Sequence, residues 1–327
     1  MIKSIKKEFI FEKDSVTPAC HASTVLPLAD GRVIAAWFGG KHEKSADVEV
    51  YISIRNTDGV WSKPVIVSEN DGVPHWNPVL YMRENGEIIL YYKYGYEIPD
   101  WITKYVTSAD GGKTWSAPRV LVEGDTSGGR GPVKNGCLKL SNGVLLAPAS
   151  TEKGFARCFI DRSEDDGVTW HACGYMQTPK HNGRRVWLIQ PALWESENGG
   201  VHCFMRSDSG AIYRSDSADC GLSWSKPRRT RLPNNNSGID CVKDCYGRLW
   251  LMYNPVDVNW GVRHPLVLSV STDNGKHFTQ IFNPEPGFGE FSYPFITAQG
   301  NRLFATYTHK RKQIVCLEIE LEQPFGV

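Results

Sequence analysis

Ser108-Ala109-Asp110-Gly111-Gly112-Lys113-Thr114-Trp115 fits the pattern S-x-D-x-G-x-T-W at every fixed position, and Ser163-Glu164-Asp165-Asp166-Gly167-Val168-Thr169-Trp170 fits it again. Ser217-Ala218-Asp219-Cys220-Gly221-Leu222-Ser223-Trp224 differs only by Ser for Thr, and Ser271-Thr272-Asp273-Asn274-Gly275-Lys276-His277-Phe278 keeps the turn but not the last two residues. A worn copy, Thr57-Asp58-Gly59-Val60-Trp61, stands upstream. The chemistry of the motif is that of a tight turn. Asp and Gly close a hairpin, the hydroxyls bond its backbone, and the aromatic residue packs beneath a neighbouring strand. The Asp residues of these boxes are therefore read as scaffold.

Working outward, the aromatic anchors at 61, 115, 170, 224 and 278 lie 54, 55, 54 and 54 residues apart. So steady a period marks a repeat architecture. Each period holds four strand-like runs, in the second repeat residues 78–82, 87–92, 102–108 and 119–122, with the first hairpin turning at Glu84-Asn85-Gly86. Four antiparallel strands per repeat make a propeller blade. The last repeat supplies only residues 295–297, 302–308 and 313–321, and residues 7–12 have no other partner. The expectation is an all-β, six-bladed β-propeller spanning residues 1–327 as one domain, its ring closed by the N-terminal strand in the last blade.

Totals narrow the function classes. A formal net charge of +1 gives no whole-protein field for nucleic acid or an anionic membrane, and neither is expected as a partner. The basic runs Arg228-Arg229-Thr230-Arg231 and His309-Lys310-Arg311-Lys312 are read as solvated edges. No apolar stretch resembles a signal peptide or a membrane span, and the nine cysteines are scattered without a CxxC pair. The expectation is a cytoplasmic protein with reduced thiols, no cofactor and no metal set, its oligomeric state open.

Strand direction places the starts of the inner strands and the loops between second and third strands on one face, where ligand chemistry belongs. The strand starts offer His21, His75, Asn77, Arg130, Gln190, Asn236, Asp240 and Tyr293. The loops add Glu43, Asp47, Lys93, Glu152, Arg206 and Arg263.

The boxes and the six-blade length resemble the sialidase (neuraminidase) superfamily over the whole chain. That family holds a substrate carboxylate with three arginines, uses a Tyr nucleophile activated by a Glu, and uses an Asp as acid/base. By this resemblance Arg206 and Arg263, the latter in Trp260-Gly261-Val262-Arg263-His264-Pro265-Leu266, match the second and third arginines, and Tyr293 before Pro294 matches the nucleophile. The departures matter as much. No segment matches the first arginine, and Thr308 stands where the Glu that orients it would fall. Gln190 replaces the activating Glu and cannot take a proton. The acid/base loop is only loosely represented by residues 41–47, with Glu43 and Asp47.

Two arginines, a tyrosine, His21, His75 and Arg130 suit an acidic sugar whose linkage is cut at a uronic acid, since neutralising the carboxylate acidifies the neighbouring C5 proton. In that reading Tyr293, His75, His21 and Arg130 do the chemistry. Arg206, Arg263, Gln190, Asn77, Asn236, Asp240, Glu43, Asp47 and Lys93 bind an acidic oligosaccharide. The chain is similar to sialidase-fold enzymes that cleave rhamnosyl-glucuronate or other uronate linkages, by elimination or hydrolysis. An exo-α-sialidase with a rearranged site and a non-catalytic glycan-binding propeller stand as alternatives.

Overall fold

In the box at 108–115, Asp110 accepts hydrogen bonds from the Ser108 hydroxyl (2.8 Å), the Lys113 and Thr114 amides (3.0 and 2.9 Å) and the Thr114 hydroxyl (2.6 Å). Those donors hold its carboxyl well below the usual carboxylate range. Asp165, Asp219 and Asp273 each close the same kind of turn in later blades. Every such turn joins the third strand of a blade to its fourth, as the hydrogen-bonding role of the motif requires.

The computed structural model describes residues 1–323, and strand pairing assembles them into six four-stranded antiparallel sheets. Blade 2 runs His75–Met82, Ile88–Tyr94, Ile102–Ser108 and Arg119–Val120, so the expected strands are present with the inner one starting earlier. Packing between blades is apolar, and one core cluster joins Leu146 and Ile160 of blade 3 to Leu193 and Cys203 of blade 4. No helix among the described residues is long and apolar enough to cross a membrane.

Blade 6 is built from both ends of the chain. Phe291–Gln299, Arg302–His309 and Gln313–Leu321 are completed by Ile2–Phe9, with Ile5 opposite Ile319 and Phe9 opposite Val315. The closing strand thus begins upstream of the expected residues 7–12 and shares only residues 7–9 with them. Ile10 and Phe11 are buried as the chain crosses into blade 1, where Phe11 stacks on Trp37 at 4.8 Å. An extra two-stranded hairpin, Lys180–His181 with Arg184–Arg185, precedes the inner strand of blade 4.

Box aromatics differ in burial. Trp170 is 8% exposed and meets Tyr91 of blade 2 edge-on at 6.2 Å, whereas Trp115 is half-buried and its indole N–H donates to the Gly112 carbonyl at 3.1 Å. Trp170→Ala should therefore cost about 3–5 kcal/mol, and Trp115→Ala less. Denaturant melts of the two variants check this, and an unchanged midpoint for Trp170→Ala would contradict it.

Candidate active site

The first hairpin turns of blades 1 to 5 are closed by backbone hydrogen bonds from the amides of Leu28, Arg83, Leu140, Ser196 and Asp244, so residues equally far ahead of these five are equivalent in the inner strands. Six residues before each turn stand Ala22, Asn77, Lys134, Gln190 and Gly238, and Tyr293 holds the corresponding place in blade 6. Ala22, Asn77, Gln190 and Tyr293 all have left-handed backbones, with φ between 43° and 54°, where the strand register also shifts. Such bulges re-aim a side chain, and here they surround the propeller axis. Gly238 gives Tyr293 its room, because a Cβ there would stand 3.2 Å from the phenol ring.

Arg206 is the hub. It is 2% exposed, and its Nη1 donates to the Tyr293 hydroxyl at 2.8 Å and to Gln190 Oε1 at 3.0 Å. Its Nε donates to Asn236 Oδ1 at 3.1 Å, and Nη2 donates to the Asn236 carbonyl. Arg263 lies 5.6 Å from the Tyr293 ring centre and donates to Glu290 Oε1 at 2.9 Å. Arg311 donates to the same Glu290 oxygen at 2.5 Å and to Glu43 Oε1 at 2.5 Å. One carboxylate thus bridges two guanidiniums, and all three arginines line one cavity of about 190 Å³. The basic run at 309–312 is accordingly not a solvated edge at Arg311. Lys310 and Arg311 form a left-handed turn that carries Arg311 over the mouth of the ring.

Burial alone would raise the Tyr293 phenol, but Arg206 and Arg263, with the Arg206 hydrogen bond, hold it below its ordinary value. His21 stacks against Tyr293 at 4.1 Å, and its Nδ1 shares a hydrogen bond with Thr308 Oγ1 at 2.9 Å. Burial first, then Arg311 and Arg263, push this imidazole well below its usual range, so it is neutral at pH 7. Thr308 thus positions His21. Glu152 lines the same cavity and has no hydrogen-bond partner among the described residues, and burial raises its carboxyl against the pull of Arg206. Phe38, Trp76, Trp101, Trp187 and Trp260 supply apolar walls.

Of the residues singled out from sequence, His21, Glu43, Asn77, Gln190, Arg206, Asn236, Arg263 and Tyr293 meet at this cavity. His75 does not. Its Nδ1 faces the Val48 carbonyl (3.1 Å) and its Nε2 faces Glu69 (3.2 Å), between blades 1 and 2. Arg130 is turned outward into a bidentate pair with Asp161, with contacts of 2.7–2.9 Å. Lys93 is fully buried beneath it, donating to Thr103 Oγ1 and the Arg130 carbonyl at 2.7 Å, and burial brings its pKa down to about 7. Asp47 caps its own loop through the Lys41 amide and the Ser45 hydroxyl. Asp240 opens onto the cavity of about 740 Å³ at the opposite mouth of the ring. Lys134 closes the axis between the two, bonding the Ile239 and Pro294 carbonyls. That lower cavity is larger, but it contains neither the arginines nor Tyr293.

The profile of the BNR repeat-like domain family matches residues 31–305. Among solved structures, a protein of unknown function from Dyadobacter fermentans is similar at 16% identity and a TM-score of 0.78, covering 98% of this chain and 100% of that one. The Hadza microbial sialidase Hz136 is similar at 17% identity and 0.79, over 96% of this chain and 68% of its own. Trypanosoma rangeli sialidase, in complex with the inhibitor DANA, is similar at 16% and 0.72, over 97% of this chain and 60% of its own. At these identities the likeness is one of fold.

Proposed function

Because the chain belongs to the BNR repeat-like domain family, within the sialidase-like propellers, we propose that it is an enzyme that cleaves an acidic glycan at a uronic acid by elimination. The observation that carries this reading is the setting of Tyr293. Its hydroxyl bonds to Arg206 and to no carboxylate among the described residues, and the neighbour that would be a base is Gln190.

The three arginines take the sugar carboxylate and hold the charge that builds on it as the C5 proton leaves. The ionised Tyr293 oxygen accepts that proton. The C5–H electron pair becomes the C4–C5 double bond, the C4–O bond breaks, and the departing oxygen takes the proton carried by Glu152. Solvent then restores both groups. His21, neutral and packed on the phenol, orients it. His75 and Arg130 have no part in this scheme, since their partners lie elsewhere.

An exo-α-sialidase is the second reading, and Arg311 favours it by bringing the arginines to three. Digestion of matched panels, one of oligosaccharides that carry a sugar on O4 of a uronate and one of sialosides, separates the two. Elimination yields an unsaturated, ultraviolet-absorbing uronate, hydrolysis of sialosides yields free sialic acid, and turnover of neither panel leaves a binding propeller.

The pH profile tests the acid. A rate that needs ionised Tyr293 and protonated Glu152 rises with pH to the raised Glu152 value, stays level, and falls above the lowered Tyr293 value. Glu152→Gln removes the group whose deprotonation offsets Tyr293 ionisation, so the alkaline fall should vanish along with most of the rate. A residual activity that keeps the alkaline limb would exclude Glu152 as the acid.

A further inference from the structure

The hairpin ahead of blade 4 is not needed to complete any blade. Its strands pair Lys180 with Arg185 and His181 with Arg184 around an Asn182-Gly183 turn, and Lys180, Arg184 and Arg185 are exposed. Nearby, Lys153 lies 4.0 Å from Asp100, while Arg157 packs over the Tyr175 ring without a carboxylate. Lys180, Arg184 and Arg185 find none among the described residues.

Aromatic contacts tie this hairpin to the cavity. The Arg185 guanidinium lies 4.1 Å from the centre of the Phe155 ring, and Phe155 meets Trp187 edge-on at 5.9 Å. Trp187 is 44% exposed and is itself a wall of the arginine cavity. Its backbone amide donates to Asp208 Oδ1 at 2.9 Å, which anchors the chain beside the cavity. A run of contacts therefore leads from the guanidinium cluster, across the exposed Trp187 ring and the half-buried Phe155, to cations without a carboxylate partner. Rings of this kind stack on the apolar faces of sugars, and cations without internal partners give up no ion pair when an anion arrives.

We propose that this ledge is an outer subsite for a second acidic sugar, so that the substrate is the end of a polyanionic glycan rather than a glycoside with a single acid. The proposal deepens the reading above and rests on it for the inner sugar. The ledge itself can be tested by binding alone.

Calorimetric titration of the full chain with galacturonic acid and with hexagalacturonate is the direct measurement. The hexamer should bind at least about tenfold more tightly at low salt, and high salt should erase most of that advantage. Lys180→Ser/Arg184→Ser, at two exposed positions outside the cavity, should bring the hexamer to within about threefold of the monomer while leaving monomer binding unchanged. Equal affinities, a length advantage that survives in the double variant, or no hexamer binding would overturn the proposal. So would an oligonucleotide of equal charge binding as tightly as the hexamer. Length-dependent binding without cleavage would instead remove the elimination reading and keep the ledge. Cleavage at rates independent of chain length, with equal affinities, would remove the ledge and keep elimination.

Discussion

Tyr293→Phe is expected to lower kcat about a thousandfold, near 4 kcal/mol of transition-state stabilisation, with little change in ligand affinity. The ring would keep its packing against His21 and Gly238, so only the oxygen is lost. Arg206 would still be held by Gln190 and Asn236, which keeps the carboxylate site assembled. The distinctive outcome is a kcat effect without a matching effect on binding, read by kinetics beside calorimetry. Unchanged turnover would remove Tyr293 from the chemistry. Labelling of wild-type Tyr293 by a fluorinated sialosyl probe, with release of sialic acid from sialosides, would replace elimination by glycosidic hydrolysis.

Arg263→Ala should weaken an acidic ligand by about 2–5 kcal/mol, and Arg311→Ala by a similar amount, because each removes a cation from a water-poor anion site. The carboxyl-reduced analogue should lose far less, and that contrast is the measurement. Equal losses for both ligands would mean that the guanidiniums shape the cavity without holding the charge. Arg206→Ala should lose at least as much affinity, but it also strands the polar groups of Gln190 and Asn236 that Arg206 bonds. A melting curve must accompany that variant.

Scaffold information was dense in the sequence because turn chemistry is local: an Asp carboxylate bonding amides three and four residues on leaves its imprint in eight consecutive residues. The closing strand was legible as a need, and its position was shifted because Ile10 and Phe11 look like strand residues yet pack between blades. Tyr293, Arg206, Arg263 and Gln190 could be found because blade direction and family pattern point to the same places. His75 misled for a physical reason. It occupies the inner-strand position held by Leu188 and Phe291 in other blades, a core position two residues before the left-handed bulge, whereas His21 stands one residue before it and turns to the axis. Arg130 lies four residues ahead of the equivalent Lys134, too far out to reach the ring. Arg311 sits in a second-to-third-strand loop, the very class assigned to the site, but its charged neighbours gave it the look of an ordinary surface run.

The pairing of Ile2–Phe9 with Gln313–Leu321 sets the order in which this ring can be completed. During synthesis, the first strand of the ring emerges long before its partner and must wait unpaired while blades 1 to 5 assemble from contiguous sequence. Bringing the two together closes a loop of roughly 300 residues, an entropic cost that grows only slowly with length but falls on the final step. Arg311 belongs to the loop immediately preceding Gln313–Leu321, so the third guanidinium reaches the cavity only as the last blade forms. A nascent chain would therefore carry Arg206 and Arg263 before it could complete the anion site.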